Sequence, residues 1–301
     1  MHLQISKNRI LWYNLCKGGI TMKRTSKYLI ILLTMFIICS FFMGCKPKGD
    51  PNEVISSYYD NIKSEKFDDA YEVLASINQS QWAKEDYEEI EKYQMEFNPM
   101  KDYSLDKIAQ YNEKDIDGVN FKNVVEYNVT EKIHNNYSDK DIDNEYTRYV
   151  VDDGGEWKVY KSEMDDPQQK LSEAIFWVAL LYEDGKGGKE QDLNKAATLL
   201  NDSVTKESVY EGAYYEFGVV LCKLQRFDES INNINSYLEC IDDDKSKSNA
   251  FNVLGLDYEG KEEYSKAKDY FNEAIQLDDN NQYAKTNLQQ LEQLLKLGIS
   301  W

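Results

Sequence analysis

Histidine is nearly missing from this chain, with two copies in 301 residues, His2 and His134. His134 stands at an expected strand end beside Asn135 and Asn136. It has no Cys, Ser or acidic triad pattern around it, so it reads as a surface imidazole rather than a general base. Zinc sites need clustered His and Cys, and there is no cluster, so neither a metal nor a cofactor is expected. Cysteine is scarce too: Cys16, Cys39 and Cys45 precede the body, which keeps only Cys222 and Cys240. Those two could pair in an exported protein, but both fall in helical segments, which favours free thiols. Positive charge is short, with 35 basic residues against 54 acidic and a net charge of −19. Residues 1–45 hold six basic and no acidic residues, so the remainder carries 29 against 54. Such a chain repels phosphate backbones, and no nucleic-acid partner is expected. A phosphate-cradling glycine loop is absent as well, because Gly185-Lys186-Gly187-Gly188 lacks a preceding strand. The longest apolar run, Tyr28 to Met43, has 16 residues where a membrane span needs about 20. What is abundant is aromatic: 23 Tyr and 11 Phe within 42% apolar residues support packed cores rather than disorder.

The short apolar run has its own meaning. Lys23, Arg24 and Lys27 precede it and Gly44-Cys45 follow it, which is the layout of a secretory signal peptide. The ending Phe42-Met43-Gly44-Cys45 resembles the lipobox of bacterial lipoproteins. That resemblance implies a diacylglycerol thioether on Cys45, which would become the first mature residue at the extracytoplasmic face of the cell membrane. Two acyl chains suffice for stable anchoring where one does not. Residues 22–45 are therefore expected to be the signal. Lys17-Gly18-Gly19 can be encoded by AAA-GGA-GGN, which contains a ribosome-binding sequence. Residues 1–21 are accordingly expected to be an untranslated leader, with Met22 as the start.

Residues 46–50 read as a tether. Asp50-Pro51-Asn52-Glu53 is a helix start, followed by an apolar face at Val54, Ile55, Tyr58, Tyr59 and Ile62. A second helix carries Phe67, Ala70, Tyr71 and Leu74, and a third carries Trp82, Ile90 and Tyr93. After Pro99 the period becomes two. Phe121, Val125, Tyr127, Val129 and Ile133 alternate with polar residues, as in a half-buried strand. Further strands are expected near 103–111, 145–151 and 157–160, with a turn at Asp153-Gly154-Gly155. Helices followed by antiparallel strands predict an α+β module with a curved sheet over 51–166. With Phe67-Asp68-Asp69-Ala70-Tyr71 early and Gly155-Glu156-Trp157-Lys158-Val159 at the close, it resembles the nuclear-transport-factor-2-like lipoprotein domains. That family implies a cone around a pocket, here lined by Tyr103, Tyr127, Tyr146 and Trp157, for a small ligand or an enzymatic role.

Asp166-Pro167 repeats the helix-start signal and opens an all-α region over 167–301. Phe251, Leu254-Gly255, Tyr258, Tyr264, Ala267, Phe271 and Ala274 are spaced as in a tetratricopeptide repeat, which they resemble. A copy 37 residues upstream has Tyr214, Phe217-Gly218, Leu221, Phe227 and Ser230. Its Ser230 and Tyr237 stand where the later copy has Ala267 and Ala274, which predicts looser helix packing. Ala179, Tyr182, Gly185, Gly187, Asp192, Lys195 and Ala196 resemble the SEL-type variety, and residues 283–297 read as a closing helix. The resemblance implies a concave groove lined by Phe176, Leu180 and Glu183, then Tyr215, Val219 and Lys223, then Asn249, Asn252, Leu256 and Glu259. A protein or peptide partner would lie there, with aromatic anchors and Asn amides reading its backbone. Asp139-Lys140-Asp141-Ile142-Asp143 invites a calcium reading. An EF-hand needs Gly and Glu where Asn144 and Val150 stand, so a solvated hairpin loop is expected. The sequence thus reads as a membrane-anchored, non-catalytic interaction scaffold, with the α+β pocket as the alternative seat of function.

Overall fold

The first helix starts at the Asp-Pro pair. In the computed structural model, which describes residues 46–162 and 166–298, Asp50 caps α1 (Pro51–Lys63) by accepting from the Asn52 amide at 2.9 Å. The leader, the signal segment and Cys45 lie outside the described residues. The segment 46–50 is not free of the fold, because the Lys48 amide donates to the Gly155 carbonyl at 3.1 Å. Helix α1 buries Ile55, Tyr58, Tyr59 and Ile62, the face expected from the spacing. Helices α2 (Phe67–Glu72), α3 (Ser76–Gln81) and α4 (Lys84–Phe97) follow. Trp82 does not share a helix with Ile90 and Tyr93. Trp82 and Ala83 are extended, separating α3 from α4. The Tyr71 hydroxyl donates to the Trp82 carbonyl at 2.9 Å, occupying the acceptor a continuing helix would use.

Four antiparallel strands form a meander in chain order: β1 (Met100–Ile116), β2 (Val119–Asn135), β3 (Lys140–Asp153) and β4 (Glu156–Tyr160). β1 and β3 are longer than the alternation suggested, and Asp141 and Asp143 belong to β3 rather than to a hairpin loop. Asp141 is engaged there, by Lys101 at 2.6 Å and by His134 Nδ1 at 2.7 Å. The β1–β2 register slips between Met100 and Asp102 and between Lys107 and Ala109, and such bulges bend a sheet. The alternation along β2 also breaks. Asn123 has φ +46°, a conformation Asn tolerates, and its amide is held by Asp152 at 2.8 Å. Phe121 therefore packs with Val124, Val151 and Tyr160 in a small second core, not with Val125 and Tyr127.

Asp166 then caps α5 (Pro167–Asp184) through the Gln168 amide at 2.9 Å. Three antiparallel pairs follow: α5 with α6 (Leu193–Val204), α7 (Glu211–Lys223) with α8 (Phe227–Cys240), and α9 (Asp244–Gly260) with α10 (Tyr264–Leu277). Helix α11 (Gln282–Lys296) closes the array. The change from sheet to helix pairs is not a break in the core. One apolar cluster runs from Ile55 and Tyr127 through Trp157 to Leu171, Phe176 and Leu221, and the Phe97 and Trp177 rings lie 5.4 Å apart. The loop after α5 ties the two parts again, since Tyr137 donates to Asp184 at 2.6 Å and Lys189 pairs with Glu96 at 2.8 Å. A Cβ at Gly187 would stand 2.8 Å from that of Asn136, so this loop needs its glycine.

One turn occurs three times among the described residues with a residue other than glycine at its left-handed position. Glu65, Gln225 and Glu262 each take positive φ after α1, α7 and α9. The next residue, Lys66, Arg226 or Glu263, donates back to Asn61, Leu221 or Tyr258 at 2.8–2.9 Å. This is a Schellman closure, and the aromatic residue that follows (Phe67, Phe227 or Tyr264) begins the next helix. The α1–α2 turn is thus built as the repeat turns are. Packing between α7 and α8 is not loose: Ser230 is fully buried and its hydroxyl donates to the Gly218 carbonyl at 2.8 Å. Tyr237 turns outward against Tyr215, with ring centroids 5.2 Å apart.

Candidate functional site

The first helices of the three pairs, α5, α7 and α9, carry the ten expected groove residues. Phe176 and Glu183 are buried, with 7% and 4% of their surface exposed, so they offer a partner little area. Phe176 packs on Tyr210 at 5.1 Å. Glu183 is joined to Lys223 at 2.5 Å, which links the first pair to the second. Glu216 completes this cluster and was not foreseen. Burial, and then the charge of Glu183, push its carboxyl well above the usual range. Glu183 Oε2 is buried and meets no donor among the described residues. Tyr215 and Val219 are half-buried against the core around Ile234 and Val253, and Leu180 is half-buried beside the main core. Further along, Asn252 accepts from Asn287 of α11 at 2.8 Å, and Asn249 lies 3.4 Å from the Asn281 amide nitrogen. The closing helix therefore takes up part of the amide capacity of both. Leu256 packs near Phe271 and Leu291, and the Glu259 carboxyl is pushed up by burial.

Behind this face the second and third pairs share a polar knot. The Ser230 hydroxyl, whose one proton goes to the Gly218 carbonyl, lies 2.7 Å from Asp257 Oδ2, while Asp257 Oδ1, fully buried, has no partner among the described residues. Cys222 and Cys240 are free thiols, and burial pushes the Cys222 thiol up beside Asp257. Burial raises Asp257 from 3.8 to about 6. Because the folded value is the higher one, Asp257 contributes stability that is present below about pH 4 and lost as pH rises through about 6. A shift of this size is worth about 3 kcal/mol. Urea unfolding at pH 4 and pH 7 is therefore expected to show Asp257→Asn gaining about 2 kcal/mol on the wild type between the two, since part of the effect is already lost at pH 4. An unchanged difference would remove the assignment.

A cavity of about 660 Å³ lies between β2, β3, α4 and α5. Of the four aromatic residues expected to line a pocket, only Tyr146 does so. Tyr127 reaches away to donate to Asn52 at 2.6 Å, Tyr103 donates to Asp60 at 2.7 Å, and Trp157 is buried in the core. Around the cavity lies a network that the Tyr stripe did not reveal. Arg148 of β3 is 5% exposed, and its Nε approaches the Tyr59 hydroxyl at 3.4 Å. Tyr59 and Tyr146 share a hydrogen bond of 3.0 Å, and Tyr146 donates to Glu131. Lys161 pairs with Glu91 at 2.9 Å, and Tyr87 donates to Tyr58 at 3.1 Å.

Burial sets the titration of these groups. It raises the Glu131 carboxyl, helped by Glu91 and opposed by Tyr146 and Arg148. The Tyr58 phenol is pushed up to about 12, mainly by burial. Burial is the largest single influence on Lys161 and acts to lower it, but the charge of Glu91, Tyr58 and the hydrogen bond to Glu91 together leave the ammonium above its usual value. Among the described residues no helix is long and apolar enough to cross a membrane. No group of three or more His, Cys, Asp or Glu among them is placed to hold a metal ion.

The sequence matches no family model and no curated protein. Among solved structures it is similar to tetratricopeptide (TPR) domains. The Arabidopsis OM64 TPR domain has 18% identity and a TM-score of 0.37, over 42% of this chain and 98% of that one. The first TPR domain of human RPAP3 has 15% identity and a TM-score of 0.37, over 43% and 97%. The Sgt2 TPR domain from Aspergillus fumigatus has 14% identity and a TM-score of 0.36, over 42% and 80%.

Proposed function

We propose that this chain is a lipoprotein, anchored through Cys45 at the extracytoplasmic face of a cell membrane, which acts as a non-catalytic scaffold. Its helix pairs are tetratricopeptide repeats that hold a protein or peptide partner. The α+β module beside the anchor is of the nuclear-transport-factor-2-like kind, a reading supported by helices preceding a bent meander. The observation that carries the scaffold reading is the row formed by Leu180, Tyr215, Val219 and Leu256. These are half-buried apolar positions on the first helices of successive pairs, and Lys223 and Glu183 join two of those helices. Such a row offers apolar anchors with charge at hand, which suits an extended or helical peptide. The anionic body needs its lipid, since its charge keeps it off anionic headgroups.

Deleting the repeats is not a clean test, because α5 shares the core of the sheet module. A photo-crosslinking side chain at Tyr215, Val219 or Leu256, introduced in cells, is expected to trap one discrete protein. The same group at Asn232 or Asn235, exposed on α8, is expected to trap none. Equal trapping at both sets would overturn the scaffold reading. Cys45→Ser is expected to abolish incorporation of an alkyne fatty acid and to release the chain from membranes.

A further inference from the structure

We propose that the cavity between the sheet and α5 is a binding site for a small organic carboxylate with an apolar body. The case starts at Arg148. Its Nη1 is buried and has no acceptor among the described residues, although Arg148 is one of the residues that line the cavity. A buried N–H group left unpaired costs about 1–3 kcal/mol, more when it is charged, and native proteins rarely keep one. An acceptor supplied from the cavity removes that cost. The guanidinium fork matches the two oxygens of a carboxylate better than it matches any single acceptor.

The surroundings narrow the class. Glu91, Glu131 and Glu173 also line the cavity, and its two lysines are already committed, Lys161 to Glu91 at 2.9 Å and Lys170 to Glu173 at 3.5 Å. One further negative charge can be met by Arg148, whereas a doubly charged phosphate would face three carboxyl groups with a single uncommitted guanidinium edge. The rest of the wall joins the amides of Gln94, Asn98, Asn135 and Asn144 to apolar and aromatic side chains, with Ile62, Met100, Ile133, Tyr146 and Trp177 supplying the surface for an apolar body. The volume, about 660 Å³, falls within the roughly 300–1,000 Å³ of small-molecule sites. Ala174 and Trp177 belong to α5, so the first repeat helix forms one side of the site. The proposal is independent of the partner-binding face.

The test uses the full chain and two probe pairs, trans-cinnamate with cinnamamide and octanoate with octanamide. Trp82 and Trp177 line the cavity, so binding is read as tryptophan quenching and confirmed by calorimetry. At least one acid is expected to saturate below about 1 mM and to bind at least about tenfold more tightly than its amide. Arg148→Met is expected to weaken the acid at least about tenfold and to leave the amide unchanged. Should that variant fail to fold, Ala174→Met narrows the cavity without touching a charge, and is expected to weaken acid and amide together. Equal binding of acid and amide would overturn the proposal. So would acid binding that survives both substitutions, or no saturable binding by either acid up to about 10 mM.

Discussion

Replacing Glu91 with alanine is expected to destabilise the protein by about 3–5 kcal/mol, the range for removing one partner of a buried ion pair. Glu91 and Lys161 side chains are only 8% and 15% exposed, and their charged atoms are 2.9 Å apart. Lys161 also sits beside aromatic faces, 5.4 Å from the Tyr87 ring centroid and 5.8 Å from that of Trp82. Those faces soften the ammonium's burial but do not replace a carboxylate. Arg148 is close enough to disfavour the charged form of Lys161. Without Glu91, two cations would therefore share one buried region with Glu131 as their remaining counter-charge. Lys161→Met alone leaves Glu91 near Glu131 and is expected to be costly too. The double variant Glu91→Ala/Lys161→Met removes both charges and is expected to recover part of the loss. Urea unfolding of the four proteins closes the cycle. Additive losses in the double variant would show that the two charges do not act as a pair.

The period-two pattern over Val125 to Ile133 already contained a sign of this network. Glu131 falls in the inward phase between Val129 and Ile133, and Arg148 falls in phase with the buried Val150. A charged residue at an inward position of an otherwise apolar strand face is informative. The number of Tyr residues drew attention instead. Tyr103 and Tyr127 share that inward phase but sit at stations along the sheet where α1 covers them, and strand periodicity does not specify what lies opposite. The repeats were more legible. Gly255, Ala267, Phe271 and Ala274 lie where helix crossings require small and large side chains, and all are buried. The Schellman turns escaped notice because Glu65, Gln225 and Glu262 carry positive φ without being glycine. Their signature was the aromatic residue two places later. The place of the calcium-like acidic run in β3 was illegible, because polar edge segments carry little pattern. The shared core of sheet and α5 was illegible for a different reason. Asp166-Pro167 starts a helix, and a helix start says nothing about which surface that helix will cover.

Glycine at the helix crossings provides the sharper test of the repeat packing. In an exposed helix, Gly→Ala stabilises by about 1 kcal/mol. At position 255 the opposite is expected. A Cβ there would lie 2.3 Å from Cε1 and 2.4 Å from Cδ1 of Phe271, and Phe271 is fully buried against Ala267 and Leu291. A ring held on all sides cannot withdraw by an ångström without moving α10. Overpacking of this kind costs about 1–3 kcal/mol or more, so Gly255→Ala is expected to lose about 2 kcal/mol net. Gly218 is the internal control. Its Cβ would lie 2.5 Å from Cδ1 of Ile234, the end of a flexible side chain. Ile234 is also fully buried and its Cγ1 would lie 2.6 Å away, but a two-carbon branch has less to move than a ring, so Gly218→Ala is expected to cost less than Gly255→Ala. Phe271→Leu in the Gly255→Ala background is expected to recover part of the loss, because the smaller side chain vacates the space the new methyl group needs. If Gly255→Ala stabilised the protein instead, α9 and α10 would not cross at the distance described here.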